Sequence, residues 1–287
     1  MTDQPTTTLA WASDIHLDHA GPDRTMAFID RVRTCGASAL LLGGDIATAD
    51  SIDQSLIQIT EMVEMPVYFV LGNHDFYRGS IAAVRENLER LNLPDLHWLA
   101  QSGPQELAPG VTLCGNGGWG DARLGDFAGS DVILTDYVII AELKRVFNRH
   151  QFKGEFGSGT DLERELKRLG REAADQLAPQ LTTAAQTSRQ VLVLTHVPPF
   201  CEACWHKGQI SSDHWLPGFT CGAVGEILTE AAAAHPDCEF TILCGHTHGG
   251  GQAQIAPNLI VHTQAAEYGQ PDFQLVEASP NQMSLDV

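Results

Sequence analysis

Three features of the sequence predict an α/β fold with two layers of sheet. Short apolar runs alternate with helix-like stretches, each run stops at a glycine or a polar cluster, and further strand-like runs follow towards the C-terminus. Five runs read as buried strands, at 9–13, 39–42, 67–71, 191–195 and 240–244, because they are short and rich in Val, Ile, Leu and aromatic residues. Helix-like stretches separate them at 22–35, 51–63, 80–91, 161–187 and 223–234. In such an alternation ligands gather beyond the carboxyl ends of the strands, so clusters far apart in sequence are able to converge.

The tail supplies the second layer. Residues 259–263 and 273–276 read as strands, with Ala256-Pro257-Asn258 as a turn. Residues 120–159 lack a clean period, carry several Gly and Asp residues and enclose one helix-like piece at 136–150. They read as an insertion overlying the strand ends. With no internal repeat, low-complexity tract or evident linker, residues 1–287 are expected to form one domain.

Composition narrows the function classes. At 43% hydrophobic and 18% charged residues the chain is that of an ordinary globular protein, which excludes disorder as the starting assumption. Lys+Arg number 17 against 36 Asp+Glu, and the resulting net charge of -19 opposes sequence-independent binding to nucleic acid or to an anionic membrane. A small or locally steered substrate fits better. Residues 1–8 are polar and carry no export signal, and no apolar stretch approaches the roughly 18 residues of a spanning helix, so a cytoplasmic protein is expected. Seven cysteines, an odd number in a chain too large to need staples, suit reduced thiols.

Each of the five strand-like runs delivers a polar cluster: Asp14-Ile15-His16, Gly44-Asp45, Gly72-Asn73-His74-Asp75, His196, and Gly245-His246-Thr247-His248. Singly, each is an ordinary turn, and a lone His196 reads as readily as a hydrogen-bonded structural histidine. Together they offer enough oxygen and imidazole donors for two adjacent metal ions. Asp14 and His16, two residues apart, are able to turn toward one metal. Asp45 has two oxygens, and a bridging carboxylate holds metals about 3.5–4 Å apart. Asn73 offers a neutral amide oxygen after a glycine that permits close backbone approach. His246 and His248 are able to serve different metals. Such a pair is suited to attack on phosphate esters. Because imidazoles ligate only when neutral, occupancy is expected to fall as pH drops through roughly 6.5.

The ordered set D-x-H, G-D, G-N-H-[DE], H, G-H-x-H resembles the calcineurin-like metallophosphoesterase superfamily over roughly residues 9–276. The resemblance implies a two-sheet αββα sandwich with a binuclear metal site at the strand carboxyl ends. It implies that Asp14, His16, Asp45 and His248 bind one metal while Asp45, Asn73, His196 and His246 bind the other. His74 is then the catalytic residue, a proton donor or electrostatic stabiliser at the leaving oxygen, and Asp75 orients it or lies behind it. The implied reaction is in-line attack on a small phosphodiester or phosphomonoester by a metal-bridging hydroxide. The metals would be divalent or mixed-valence transition ions, with Mn, Fe or Zn foremost and Ni or Co compatible. A protein phosphatase is disfavoured because Gly44-Asp45-Ile46-Ala47-Thr48-Ala49-Asp50 lacks the G-D-x-V-D-R-G arginine. A nuclease or nucleotide phosphatase is a lesser branch, the acidity counting against large nucleic acids. A noncatalytic binding scaffold, the reading from another class, has intact ligands against it.

Several residues carry two readings each. Cys201-x-x-Cys204 with His206 and Cys221 has the look of a zinc knuckle, against reduced thiols in a loop or a pocket wall. Trp205, His206, His214 and Trp215 read as substrate contacts or as an ordinary loop. Tyr77 and Arg78 read as phosphate contacts or as a solvated helix start. For Trp119 and Asp121, a core role is preferred over a cleft wall. The charge mixture at 161–171 reads as a solvated helix face with i,i+4 pairs.

Overall fold

Every central strand is apolar at successive positions because its alternating side chains are buried on both faces of a sheet. The computed structural model describes residues 6–153, 159–280 and 282–285. The first five residues of the polar N-terminal stretch, and 154–158 of the expected insertion, lie outside them. In chain order the first half runs β1 (Thr7–Ala12), α1 (Leu17–Thr34), β2 (Ala39–Gly43), α2 (Ile52–Val63), β3 (Val67–Val70), α3 (Ile81–Glu89), β4 (Leu96–Trp98), α4 (Leu99–Ser102), β5 (Gln105–Ala108), β6 (Val111–Gly115), α5 (Asp136–Ile139) and α6 (Ala141–Lys153). The second half runs α7 (Asp161–Thr187), β7 (Gln190–Leu194), β8 (Trp205–His206), β9 (Gln209–Ile210), α8 (Leu216–Phe219), α9 (Gly222–Ala234), β10 (Glu239–Cys244), β11 (Gly251–Ala256), β12 (Leu259–Thr263), β13 (Gln274–Ser279) and β14 (Gln282–Leu285).

One sheet has the order β14-β13-β1-β2-β3-β4 and the other β11-β12-β10-β7-β6-β5. Strands β1 to β4 are parallel, with β4 at an edge, as are β6, β7, β10 and β12, while antiparallel strands close the remaining edges. Ala12 pairs with Leu42 and Leu42 with Phe69, so three strand ends fall level at one rim. Leu194 pairs with both Gly115 and Leu243 and does the same in the second sheet.

Alternation sorts the core into three layers. Leu9, Trp11, Leu41 and Val70 meet Leu113, Leu192, Leu194 and Leu243 between the sheets. Ala10, Leu40 and Leu42 face outward onto Phe28, Ile29, Leu56 and Ile59. On the opposite outer face Val191, Val193, Phe240 and Ile242 pack with Leu177, Val224 and Leu228. The result is an αββα sandwich. Helix α7 serves both outer clusters, through Leu162 and Leu166 at one end and Leu177 and Leu181 at the other. Its start is capped by Thr160, whose side chain accepts from the Glu163 N–H at 3.1 Å. The expected i,i+4 pairs appear on it as Lys167–Glu163 at 2.6 Å and Arg168–Glu172 at 2.7 Å.

One difference from expectation is topological: the five runs read as buried strands divide between the sheets, β1, β2 and β3 in one and β7 and β10 in the other, and the tail makes no layer of its own, β12 joining the second sheet and β13 the first. The other differences are local. Helix α1 begins at Leu17 rather than 22, since a kink at Gly21 (φ 73°) lets a first turn precede Pro22. The helical piece at 136–150 is two helices, broken where Ile140 turns to extended backbone. Strands β4 and β5 were not legible, being only three and four residues of intermediate or exposed side chains. No disulfide joins the seven cysteines. Among the described residues no helix is long and apolar enough to cross a membrane.

Candidate metal centre

Seven polar side chains from the two rims meet in one place. Asp14, His16, Asp45 and Asn73 come from the ends of β1, β2 and β3; His196, His246 and His248 come from the ends of β7 and β10. Asp14, His16, Asp45 and His196 are at most 2% exposed. Asp14, His16, Asp45, His246 and His248 all have positive φ, between 39° and 69°. Left-handed backbone in non-glycine residues costs on the order of 1–3 kcal/mol each, and the surrounding fold holds five of these seven residues there.

Asp45 stands between two groups. Its Oδ1 lies 3.3 Å from His196 Nε2, which is itself 3.1 Å from Asn73 Oδ1 and 3.1 Å from His246 Nδ1. Its Oδ2 lies 3.9 Å from His16 Nε2, which is 3.2 Å from His248 Nε2; His248 Nε2 is in turn 3.3 Å from Asp14 Oδ1. By distance alone His74 groups with His16 and Asp45, its Nε2 also 3.9 Å from Asp45 Oδ2.

Hydrogen bonds behind the cluster decide what it is suited to hold. His196 Nδ1 donates to the Gly43 carbonyl at 2.9 Å, and His246 Nε2 donates to the Gly218 carbonyl at 3.1 Å. Each ring therefore turns its other nitrogen inward as an acceptor. Those nitrogens, the Asp45 carboxylate and the Asn73 amide oxygen converge as four acceptors, an arrangement suited to a cation. Asn73 is oriented likewise: its Nδ2 donates to Asp136 Oδ1 at 2.9 Å, leaving Oδ1 to face His196. Tyr77 OH donates to the same Asp136 oxygen at 2.7 Å. Asp14 is fixed by the His246 N–H at 2.9 Å and by Ser13 Oγ at 2.6 Å.

Titration follows the same geometry. Burial opposes a charge on Asp14, yet His196 and the bond to His248 hold it at about 2. Burial likewise opposes a charge on Asp45, and its imidazole neighbours, His196 foremost, hold it well below the usual carboxylate range. Burial draws His16 and His246 down to about 4, so both are neutral near pH 7. For His196 burial is outweighed by Asp45 and Asp14, which push it up to about 10. With no metal bound, a proton on His196 takes the cation's place.

Residues 7–250 match the calcineurin-like phosphoesterase family. The chain belongs to that family. It is 32% identical over 120 residues to a UDP-2,3-diacylglucosamine hydrolase of Xanthomonas campestris pv. campestris, which is 37% of this chain and 48% of the relative. The chain thus spans about half the length of the curated relatives it matches. In fold it is similar to a dimetal phosphatase from Danio rerio, with TM-score 0.61 and 16% identity over 97% of this chain and 95% of the other. It is also similar to the phosphopantetheinyl hydrolase of Mycobacterium tuberculosis, with TM-score 0.58 and 13% identity over 92% and 90%. The divalent-metal site that a calcineurin-like phosphoesterase implies fits the donors described above.

A cleft of about 750 Å³ opens over this family's strand ends in the present chain, and His74, 17% exposed in its side chain, faces it. Asp75 forms no hydrogen bond or ion pair with the His74 ring. It is fully buried and accepts from the backbone N–H groups of Asp45, Ile46, Ala47 and Gly72 at 2.8–3.1 Å, tying the β2 loop to the β3 loop. Burial and the nearby Asp45 charge push it up to about 7. Tyr77, His206 and Trp215 line the cleft; Arg78 is exposed and outside its lining. Trp119 packs on Phe76, and Asp121 accepts from the first N–H groups of α9 at 2.8–3.1 Å, so both serve the fold. Buried Cys204 points its thiol at the Phe219 carbonyl, 3.7 Å away.

Sequence reasoning missed Asp136, Phe219 and Tyr268. Tyr268 lies with its ring centroid 4.4 Å from that of His16 and 4.7 Å from that of His248, and Phe219 lies 4.6 Å from His246. None sits in a spaced motif. The only signal was that Asp136 falls in a segment expected to overlie the site.

Proposed function

We propose that this calcineurin-like phosphoesterase is a binuclear metal-dependent hydrolase of a small phosphodiester or phosphomonoester. One observation carries the reading: the two oxygens of Asp45 face separate donor groups, His196, His246 and Asn73 on one side and His16, His248 and Asp14 on the other. Those two sets would hold the two ions, with Mn, Fe or Zn suiting mixed nitrogen and oxygen donors. When bound, such ions supply Lewis acidity at the phosphoryl oxygens and lower the pKa of water. The chain's own residues do the rest.

Asp45 holds the two halves in register, and its backbone partners through Asp75 fix the loop that carries it. His74 is anchored by its own N–H to Asp45 Oδ1 at 2.8 Å and by stacking on Tyr77 at 4.0 Å, so its ring edge faces the cleft. In hydrolysis the P–O bond to the leaving alcohol breaks, a P–O bond to the water oxygen forms, and a proton passes to the leaving oxygen. His74 is the group positioned to deliver that proton. The substrate that names the relatives, UDP-2,3-diacylglucosamine, supports a phosphorus bearing two substituents over a simple monoester.

The test is turnover of bis-p-nitrophenyl phosphate against p-nitrophenyl phosphate by protein reconstituted with Mn, Fe, Zn, Ni or Co. Diester hydrolysis exceeding monoester hydrolysis is the expected result. Absence of turnover with every metal would leave a noncatalytic scaffold as the better account.

A further inference from the structure

Beside the metal cleft lies a second cavity of about 380 Å³ whose walls include Phe127, Val132, Ile133, Leu134, Tyr137 and Phe147. The two spaces share a wall. Leu134 lines both, and it packs against Gly218, whose carbonyl binds His246 Nε2 at 3.1 Å. The apolar cavity therefore begins one residue away from a candidate metal ligand.

Exposed apolar side chains lead to the same place. Among the described residues the large exposed hydrophobics are Ile133 (60%), Tyr268 (49%), Trp215 (46%), Ile210 (41%) and Val138 (39%). Ile133 lines the apolar cavity, and Ile210, Trp215 and Tyr268 line the metal cleft. Val138 follows the cavity residue Tyr137 directly. Exposed apolar residues scattered singly need no explanation, but four that line two adjoining cavities mark a binding surface. The smaller cavity is mostly apolar, its polar lining being Ser130, Asp131, Thr160 and His214.

From this we infer that the substrate is an amphiphilic phosphoester, its phosphate over the strand ends and an alkyl or acyl chain passing Leu134 into the adjoining cavity. The inference rests on the phosphoesterase reading, since it gives the cavity the substituent of that same ester. A polar or nucleic-acid substituent would leave these walls unpaired with anything apolar, whereas each methylene buried there favours binding by roughly three- to fourfold.

The experiment compares p-nitrophenyl methyl, butyl and octyl phosphates, below their micelle concentrations, with Mn-loaded protein. The expected kcat/KM rises with each added methylene until the cavity is full, and the octyl-to-methyl ratio falls at least about tenfold in Ile133→Asp. Ile133 is mostly exposed, so that change leaves folding intact. A flat series with good turnover of the methyl ester overturns the chain subsite and leaves the phosphoesterase reading standing. If no ester is turned over, calorimetric binding of octylphosphonate against methylphosphonate carries the same comparison. Octylphosphonate at least tenfold tighter supports the subsite, and equal affinities overturn it.

Discussion

Asp136 illustrates how a residue outside the candidate ligand set can orient one of its members. It fixes the Asn73 amide by accepting from Nδ2, and without it the amide is free to present Nδ2 instead of Oδ1 to the His196 side. Asp136→Ala should therefore weaken one metal of the two by about 10–100-fold, the usual effect of removing such a support. Metal titration followed by calorimetry would read this, and unchanged affinities for both ions would contradict it. His196 sets the pH behaviour. Its metal-free value of about 10 lies above the ordinary 6.5, so its proton stabilises the metal-free fold fully below about 6.5, and that stability is lost as pH rises through about 10. A cation competes with this proton. Metal affinity should rise with pH across that window, with proton release on loading at pH 8, measurable in buffers of different ionisation enthalpy. Binding without proton release would rule this out. In the metal-free protein the candidate ligands share no single threshold near 6.5, since burial takes His16 and His246 down to about 4 while Asp45 takes His196 up.

The element that matters most is the strand end, where a short parallel strand stops and its loop turns inward through left-handed backbone. Gly72 shows why the motif requires glycine. A Cβ there would strike the Asp45 carboxylate and backbone and lie 2.8 Å from His196 Cε1. Gly72→Ala should cost about 1–3 kcal/mol by overpacking and lower metal content, read by urea denaturation and elemental analysis. Full metal content in that variant would count against the tight fit described here. Strand ends were also the part best read from sequence. The five central strands are legible because burial on both faces makes each a continuous apolar run, and all seven candidate ligands sit beyond their carboxyl ends. Strands β4 and β5 and the division of the 136–150 helix were not legible, since short, half-exposed segments have no period to read. Asp136 and Tyr268 escaped for another reason: they reach the site through tertiary packing alone.

On the scale of the molecule, the site exists because two sheets share one rim. The inner layer that locks them together includes Trp11, Leu41 and Leu194, all fully buried. Leu194→Ala should destabilise the fold by about 2–5 kcal/mol and, by loosening the sheet that carries His196, weaken metal retention at the same time. A destabilised variant that binds metals as tightly as the parent would uncouple the layer from the site. The central claim is that Asp45 lies between two cations. Its most direct test is the Mn content per chain of reconstituted wild type and Asp45→Asn, with folding checked by circular dichroism. The account predicts two ions in the wild type, and in the folded variant a loss of metal together with a fall in turnover beyond the roughly 10–100-fold of a supporting residue. A wild type that holds one ion, or a variant that keeps two and full activity, would contradict it.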